Sequence, residues 1–250
     1  MERGLYAAAT GMMAQQNIQD ILAQNMANSS TIGYKQDVPT FKSVHGMALR
    51  RAANGSGGGT PIGEVGIGVA PDKISVDWQI GPQVTTNSAL DASLAPGQYF
   101  AIQTDRGTRY TRAGNFQVDN TGSLLTGTGL KVLDNQNRPI TIAGSVPPRI
   151  EPDGAISVSG AVVARVQIVQ APNDTLVKDG DSLFAAANPT AIRPAIKPQV
   201  HPGTLEQSNV NMVSGMVRMI TVSRAFEMAQ RAIVTQDELL KHAANDLGRA

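Results

Sequence analysis

The sequence predicts an α+β protein: long N- and C-terminal helices forming a coiled-coil-like stem, with a central all-β domain of sandwich or barrel type between them. Three observations carry the prediction. Apolar residues recur at helical spacing near the N-terminus, alternate with polar residues through the middle, and return to helical spacing with a seven-residue period at the C-terminus. The segments are residues 1–35 for the first helix and its cap, 36–61 for a flexible linker, 62–203 for the β domain with a proline-rich return connector, and 204–250 for the last helix.

In the first segment Leu5, Ala8, Met12, Leu22 and Met26 fall on one helical face, with Gln15 and Gln19 interrupting the stripe. The stretch QNMANSSTIGYKQ (24–36) then crowds small polar residues and a glycine together. Asn28 is expected as a left-handed C-cap, Ser29 to Thr31 as hydrogen-bonding partners of the last helical carbonyls, and Gly33 as a second position free of Cβ strain. Periodicity fades after Gln36, and NGSGGG (54–59) has the composition of a flexible link.

Period-two runs take over downstream. YFAIQT (99–104), NFQVD (115–119), LKVLD (130–134), AISVS (155–159) and ARVQIVQ (164–170) read as strands separated by turn clusters such as TDRG, DNTG, DNQN and PDG. Pro189, Pro194, Pro198 and Pro202 exclude a central strand over 188–203, which is expected to be an extended connector.

From Asn211 onward, positions seven apart read Met212, Met219, Phe226, Ile233, Leu240 and Leu247. Half a heptad later come Gly215, Val222, Ala229, Gln236 and Ala243. This a/d pattern predicts a helix about 55 Å long whose seam needs an apolar partner. The N-terminal helix is shorter and carries glutamines in its stripe, so further copies or related chains are expected to complete the packing.

Composition narrows the chemistry. The 21 Lys and Arg balance 20 Asp and Glu, with no long basic run, so no nucleic acid is expected as a partner. There is no cysteine, which suits an oxidising compartment. No apolar run reaches the roughly 18 residues that span a bilayer, so no direct membrane insertion is expected. The opening MERGLYAAATGMMAQQ lacks the charge and apolar core of a conventional signal peptide. His45, His201 and His242 are scattered without metal-ligand spacing. Gly122 and Gly127 mimic P-loop spacing, yet Thr128 stands where the lysine must be. Glu151 and Asp153 could form a carboxylate pair, but Asp153-Gly154 reads as a turn. No catalytic, metal or cofactor site is expected, and no cofactor.

The residues then become recognisable. NMANSSTIGYK (25–35) resembles the motif that closes the N-terminal helix of bacterial flagellar rod and hook proteins, through Asn25, Asn28, Thr31, Gly33, Tyr34 and the following lysine. YTRAGNFQVDNTGSLLT (110–126) is similar to that family's central β motif, through Tyr110, Arg112, Gly114, Asn115 and Phe116. LEQSNVNMVSGMVRMITVSRAFEMAQRAI (205–233) is similar to its C-terminal motif, with Ser208 and Asn209 in place. Two departures stand out: LAPGQYF (94–100) replaces the usual Gly-x-Gly-Phe-Phe, and Ser214 and Gly215 replace the usual acidic residues.

The resemblance implies a self-assembling structural subunit of the basal-body rod, which crosses the periplasm and transmits torque. The length and the tail FEMAQRAIVTQDELLKHAANDL (226–247) are nearer the proximal rod type than the distal rod or hook type. The implied partners are other rod subunits, proximal and distal, further copies of the chain, and the flagellar type III export apparatus, which would carry the chain out without a cleaved signal peptide. The implied assembly face comprises Leu5, Ala8, Met12, Leu22 and Met26 with Met212, Met219, Val222, Phe226, Ile233, Leu240 and Leu247. A reading of another class, a secreted β-sandwich adhesion or binding module whose helices merely dimerise it, would call for exposed aromatics, and only Trp78, Tyr99 and Tyr110 are candidates.

Overall fold

The computed structural model describes residues 2–50, 61–143, 146–180 and 182–247, so the NGSGGG segment lies outside the described residues. The chain divides into two compact units. The first contains residues 1–26, 37–75 and 211–250, and the second contains 27–36 and 76–210.

In the first unit, helix α1 spans Glu2–Ala27 and helix α2 spans Met212–Leu247. Neither contains proline, and α1 is rich in alanine, the residue that loses least on entering a helix. Asn211 starts α2: its side-chain oxygen accepts from the Ser214 amide at 3.0 Å and its carbonyl from the Gly215 amide at 3.0 Å. The helices meet at two levels. A Cβ on Gly215 would stand 3.2 Å from Met26 Cγ, and one on Gly4 would stand 2.5 Å from Gln236 Nε2. The end of α1 therefore lies by the start of α2, and the pair is antiparallel. Ala14, Ile21 and Leu22 are the buried apolar residues of α1.

The expected linker over 36–61 is corrected here. Asp37–Arg50 (β1) and Pro61–Val76 (β2) form a two-stranded sheet within the first unit. Thr40 ties them, donating its hydroxyl to the Lys73 carbonyl at 2.8 Å and accepting from the Lys73 amide at 3.3 Å. Pro39 and Gly46 in one strand, and Gly63, Gly66, Gly68 and Pro71 in the other, dilute the period-two signal that would have announced them. The β-rich unit consequently begins at residue 76 rather than 62, and residues 204–206 are strand, with the helix starting only at Met212.

The second unit is built on a nine-stranded sheet. Its central strand, Gln98–Thr104, pairs antiparallel with Gly107–Thr111 on one edge and with both Lys131–Val132 and Ile168–Gln170 on the other. Tyr99 to Ile102 are buried on both strand faces, so alternate residues enter different cores. Phe100 and Ile102 join Phe116, Leu124, Ile156 and Val200 in the larger core. Tyr99 joins Phe184, Leu176 and Trp78 in a smaller one, with Trp78 and Phe184 ring centroids 5.0 Å apart. The aromatics of these cores are divided between them, with Phe100 and Phe116 in the larger and Trp78, Tyr99, Tyr110 and Phe184 in or against the smaller. The proline-rich connector is largely extended, as Pro194 and Pro202 sit in short strands that pair on one side only, with Ile168–Gln170 and Ala92–Leu94.

Candidate functional site

The three sequence motifs converge in the second unit on one buried charge cluster. Lys35 from the first, Arg112 from the second and Glu206 from the third are 1%, 2% and 1% exposed. Glu206 Oε1 accepts from Lys35 Nζ at 2.5 Å and from the Gly81 amide at 3.2 Å, while Oε2 accepts from Arg112 Nε at 2.6 Å. Arg112 Nη2 also meets Oε2, and the remaining guanidinium protons go to the carbonyls of Leu94 at 2.8 Å, Ala95 at 3.1 Å and Gln98 at 2.7 Å. Lys35 also donates to the Gln79 carbonyl at 2.6 Å. Two cations thus share one carboxylate. Burial is the largest influence on Lys35 and pulls its ammonium below the usual lysine range, against the attraction of Glu206.

Backbone bonds knit the same segments. The Gly33 amide donates to the Glu206 carbonyl at 2.9 Å. Asn209 accepts from the Gln36 amide at 2.7 Å and donates to the carbonyls of Asp77 at 2.9 Å and Gln79 at 3.2 Å. Gly33 has a φ of +69°, and a Cβ there would stand 2.5 Å from the Ala113 nitrogen. The expected left-handed Asn28 is corrected, because Gly33 alone among the described residues of this stretch has positive φ. Asn28 instead accepts from Thr31 twice, at its carbonyl from the amide at 3.2 Å and at its side-chain oxygen from the hydroxyl at 3.1 Å. A local turn therefore follows the helix, and the reversal is deferred to the glycine.

The remaining motif residues have structural tasks. In the first unit Asn25 donates to the Asp37 carbonyl at 2.8 Å and accepts from its amide at 2.9 Å. In the second, buried Tyr34 has the Lys178 ammonium 3.9 Å from its ring centroid. A Cβ on Gly114 would stand 1.7 Å from the Ala92 carbonyl oxygen, and Asn115 bridges to Asp91. Phe116 packs edge-on against Phe100 at 4.9 Å, and Ser208 Oγ accepts from the Val210 amide at 3.3 Å. Burial pushes the half-buried Tyr110 phenol up from its ordinary value. Both departures from the family pattern find a place: LAPGQYF supplies the carbonyls around Arg112, and Ser214 and Gly215 serve the α2 cap and its close approach to α1.

The helical stripes separate into two faces. Met219, Val222, Phe226 and Ile233 are half-buried, in the same a/d series as Gly215 and Gln236, which meet α1. Met212 and Leu240 are exposed, and the side chain of Leu247 lies outside the described residues. On α1, Leu22 is buried, Ala8, Met12 and Met26 are half-buried and Leu5 is exposed. The sequence reading passed over a second face. Val213, Met216, Val217 and Ile220, spaced i, i+3, i+4 and i+7, are 73%, 51%, 60% and 55% exposed. Their spacing was legible, but the longer heptad series eclipsed it. Among the described residues no group of His, Cys, Asp and Glu could hold a metal ion, and no helix is long and apolar enough to cross a membrane.

Three family models match successive parts of the chain: flagella basal body rod protein over residues 5–35, flagellar hook protein FlgE/F/G D1 domain over 97–164, and flagellar basal body rod FlgEFG protein C-terminal over 201–247. The chain is 33% identical to flagellar basal-body rod protein FlgG of Bacillus subtilis, covering 98% of the chain and 99% of that relative. It is 31% identical to flagellar basal-body rod protein FlgF of Caulobacter vibrioides, covering 100% and 99%. FlgF of Rhizobium meliloti is 30% identical over 99% of both chains.

Proposed function

This chain belongs to the flagellar basal-body rod protein family, and on that premise we propose that it is a subunit of the proximal rod, the FlgF type, docking on neighbouring axial subunits through the outward face of α2. Members of the family are structural proteins and not enzymes. The observation that carries the docking face is the apolar quartet Val213, Met216, Val217 and Ile220, which stays exposed after α1 has taken the a/d seam. Covering the exposed part of four such side chains is worth on the order of 4 kcal/mol per copy. A regular assembly repeats that gain at every subunit. Its partners are other rod subunits and further copies, and it leaves the cytoplasm through the flagellar export apparatus with its N-terminus uncut.

The proximal reading is supported by the alignment with the Caulobacter FlgF, which runs 252 positions over the whole chain and so needs almost no insertion. A distal-rod reading draws on the B. subtilis FlgG at 33% identity. The test is a strain whose only copy carries a small epitope in the β-rich unit. Electron microscopy of its labelled basal bodies should place the tag at the proximal rod, and mass spectrometry should find the uncut N-terminus. A tag at the distal end would favour the second reading, and basal bodies lacking the protein would overturn both.

A further inference from the structure

The buried cluster ties the two ends of the chain unequally. Residues 204–206 have anchorage of their own: Thr204, Leu205 and Glu206 pair with Thr85, Val84 and Gln83, and the preceding Val200, His201 and Pro202 pair with Leu94, Ser93 and Ala92. Arg112 adds Nε and Nη2 contacts to Glu206 while gripping three carbonyls of 94–98. Residues 33–36 belong to no strand. Their contacts include bonds from Gly33 to Glu206, Asn209 to Tyr34, Gln36 to Asn209 and Asp77 to Gln36, the Lys35 ammonium, and Lys178 over the Tyr34 ring.

The charge count is also unequal. Removing Lys35 leaves Arg112 and Glu206 as a balanced, hydrogen-bonded pair. Removing Glu206 leaves two buried cations without the carboxylate that binds both, with only the half-buried Asp77 still attracting Lys35, a costlier state.

We infer that the C-terminal motif is the keeper of the N-terminal one: Glu206 and Asn209 form a dock that can stand without residues 33–36, whereas those residues do not lock without the dock. Glu206 and Lys35 are positioning residues in this scheme. Residues 33–36 are not locked until residues 204–209, with Glu206 lying 171 positions beyond Lys35, have folded into place. A subunit whose N-terminal part emerges first therefore keeps that part unlocked until its C-terminal motif arrives. The dependence itself does not rest on the rod assignment, which concerns only what the locked ends then assemble into.

Hydrogen exchange on the full-length chain reads the asymmetry amide by amide. Lys35→Met, and independently Asn209→Ala, should speed exchange at Gly33, Gln36 and Asp77 by about tenfold or more, while the amides of 83–85 and 204–206 stay the slower set and lose no more than that same factor. Glu206→Gln should speed both sets by about tenfold or more. Amides of 204–206 that exchange as fast as Gly33 and Gln36 in Lys35→Met would overturn the inference, as would unchanged protection at Gly33 and Gln36 in Glu206→Gln. Should Glu206→Gln fail to fold, Lys35→Met and Asn209→Ala decide alone: loosening of 33–36 with 204–206 still the slower set upholds the inference, and absent loosening of 33–36 or equal rates in the two sets end it.

Discussion

Gly33 concentrates the chemistry of its motif in one backbone position. Its left-handed φ and the Ala113 nitrogen 2.5 Å from any added Cβ leave no room for a side chain. Gly33→Ala should lower stability by about 1–3 kcal/mol, read as a shifted urea midpoint with an unchanged slope. Tyr99 offers a test by pH. Burial in the smaller core pushes its phenol from 10.0 up to about 12. A group whose pKa rises on folding contributes stability that is complete below the unfolded value and lost as pH climbs through the folded one. Between pH 10 and 12 the wild-type chain should therefore lose about 2 kcal/mol relative to Tyr99→Phe. At neutral pH the variant should be slightly the weaker, for want of the 3.3 Å hydrogen bond to Asn173. Denaturant titrations of both chains across that range check the sign, and parallel curves would place Tyr99 in a more solvated setting than the structure has it.

At the level of elements, the two faces of α2 call for opposite mutational signatures. Ile220 is more than half exposed on the outward face, so Ile220→Asp should leave melting of the purified chain within about 1–2 °C while abolishing motility. Phe226 is half-buried in the series that faces α1, so Phe226→Asp should disturb the first unit within the single chain, costing about 2–4 kcal/mol, as well as assembly. Helical circular dichroism of the purified variants, beside swimming in soft agar, separates the two. Normal swimming with Ile220→Asp would remove the outward face from the assembly contact. Loss of the Asn211 cap in Asn211→Ala should cost about 1 kcal/mol of helix stability and fray the first turn of α2, detectable as faster amide exchange at Ser214 and Gly215.

For the molecule as a whole, the division into two units predicts where a cut is tolerated. A chain ending at Val210 loses α2 but keeps Glu206 and Asn209, so its second unit should melt as before. A chain ending at Gly203 also loses the strand opposite Gln83–Thr85 and leaves Lys35 and Arg112 buried without their carboxylate. Its second unit should melt about 10 °C or more lower. Calorimetry of the two truncations gives the comparison, and equal melting would show that the cluster contributes little to the fold.

Much of this was legible in the sequence because it is local. Helical spacing located both terminal helices, alternation located strands such as Gln98–Thr104 and Ala155–Val158, and prolines marked the extended connector. The ribbon of β1 and β2 was not legible, since glycine and proline erased its alternation. Nor was the orientation of α2, because two apolar stripes share one helix and only the position of α1 decides which is covered. The meeting of Lys35, Arg112 and Glu206 belongs wholly to the tertiary structure. Lys35 and Glu206 are 171 residues apart, and each alone reads as an ordinary surface charge. What buries them is the pairing of distant strands, and a buried cation is tolerable only where folding brings a carboxylate to meet it.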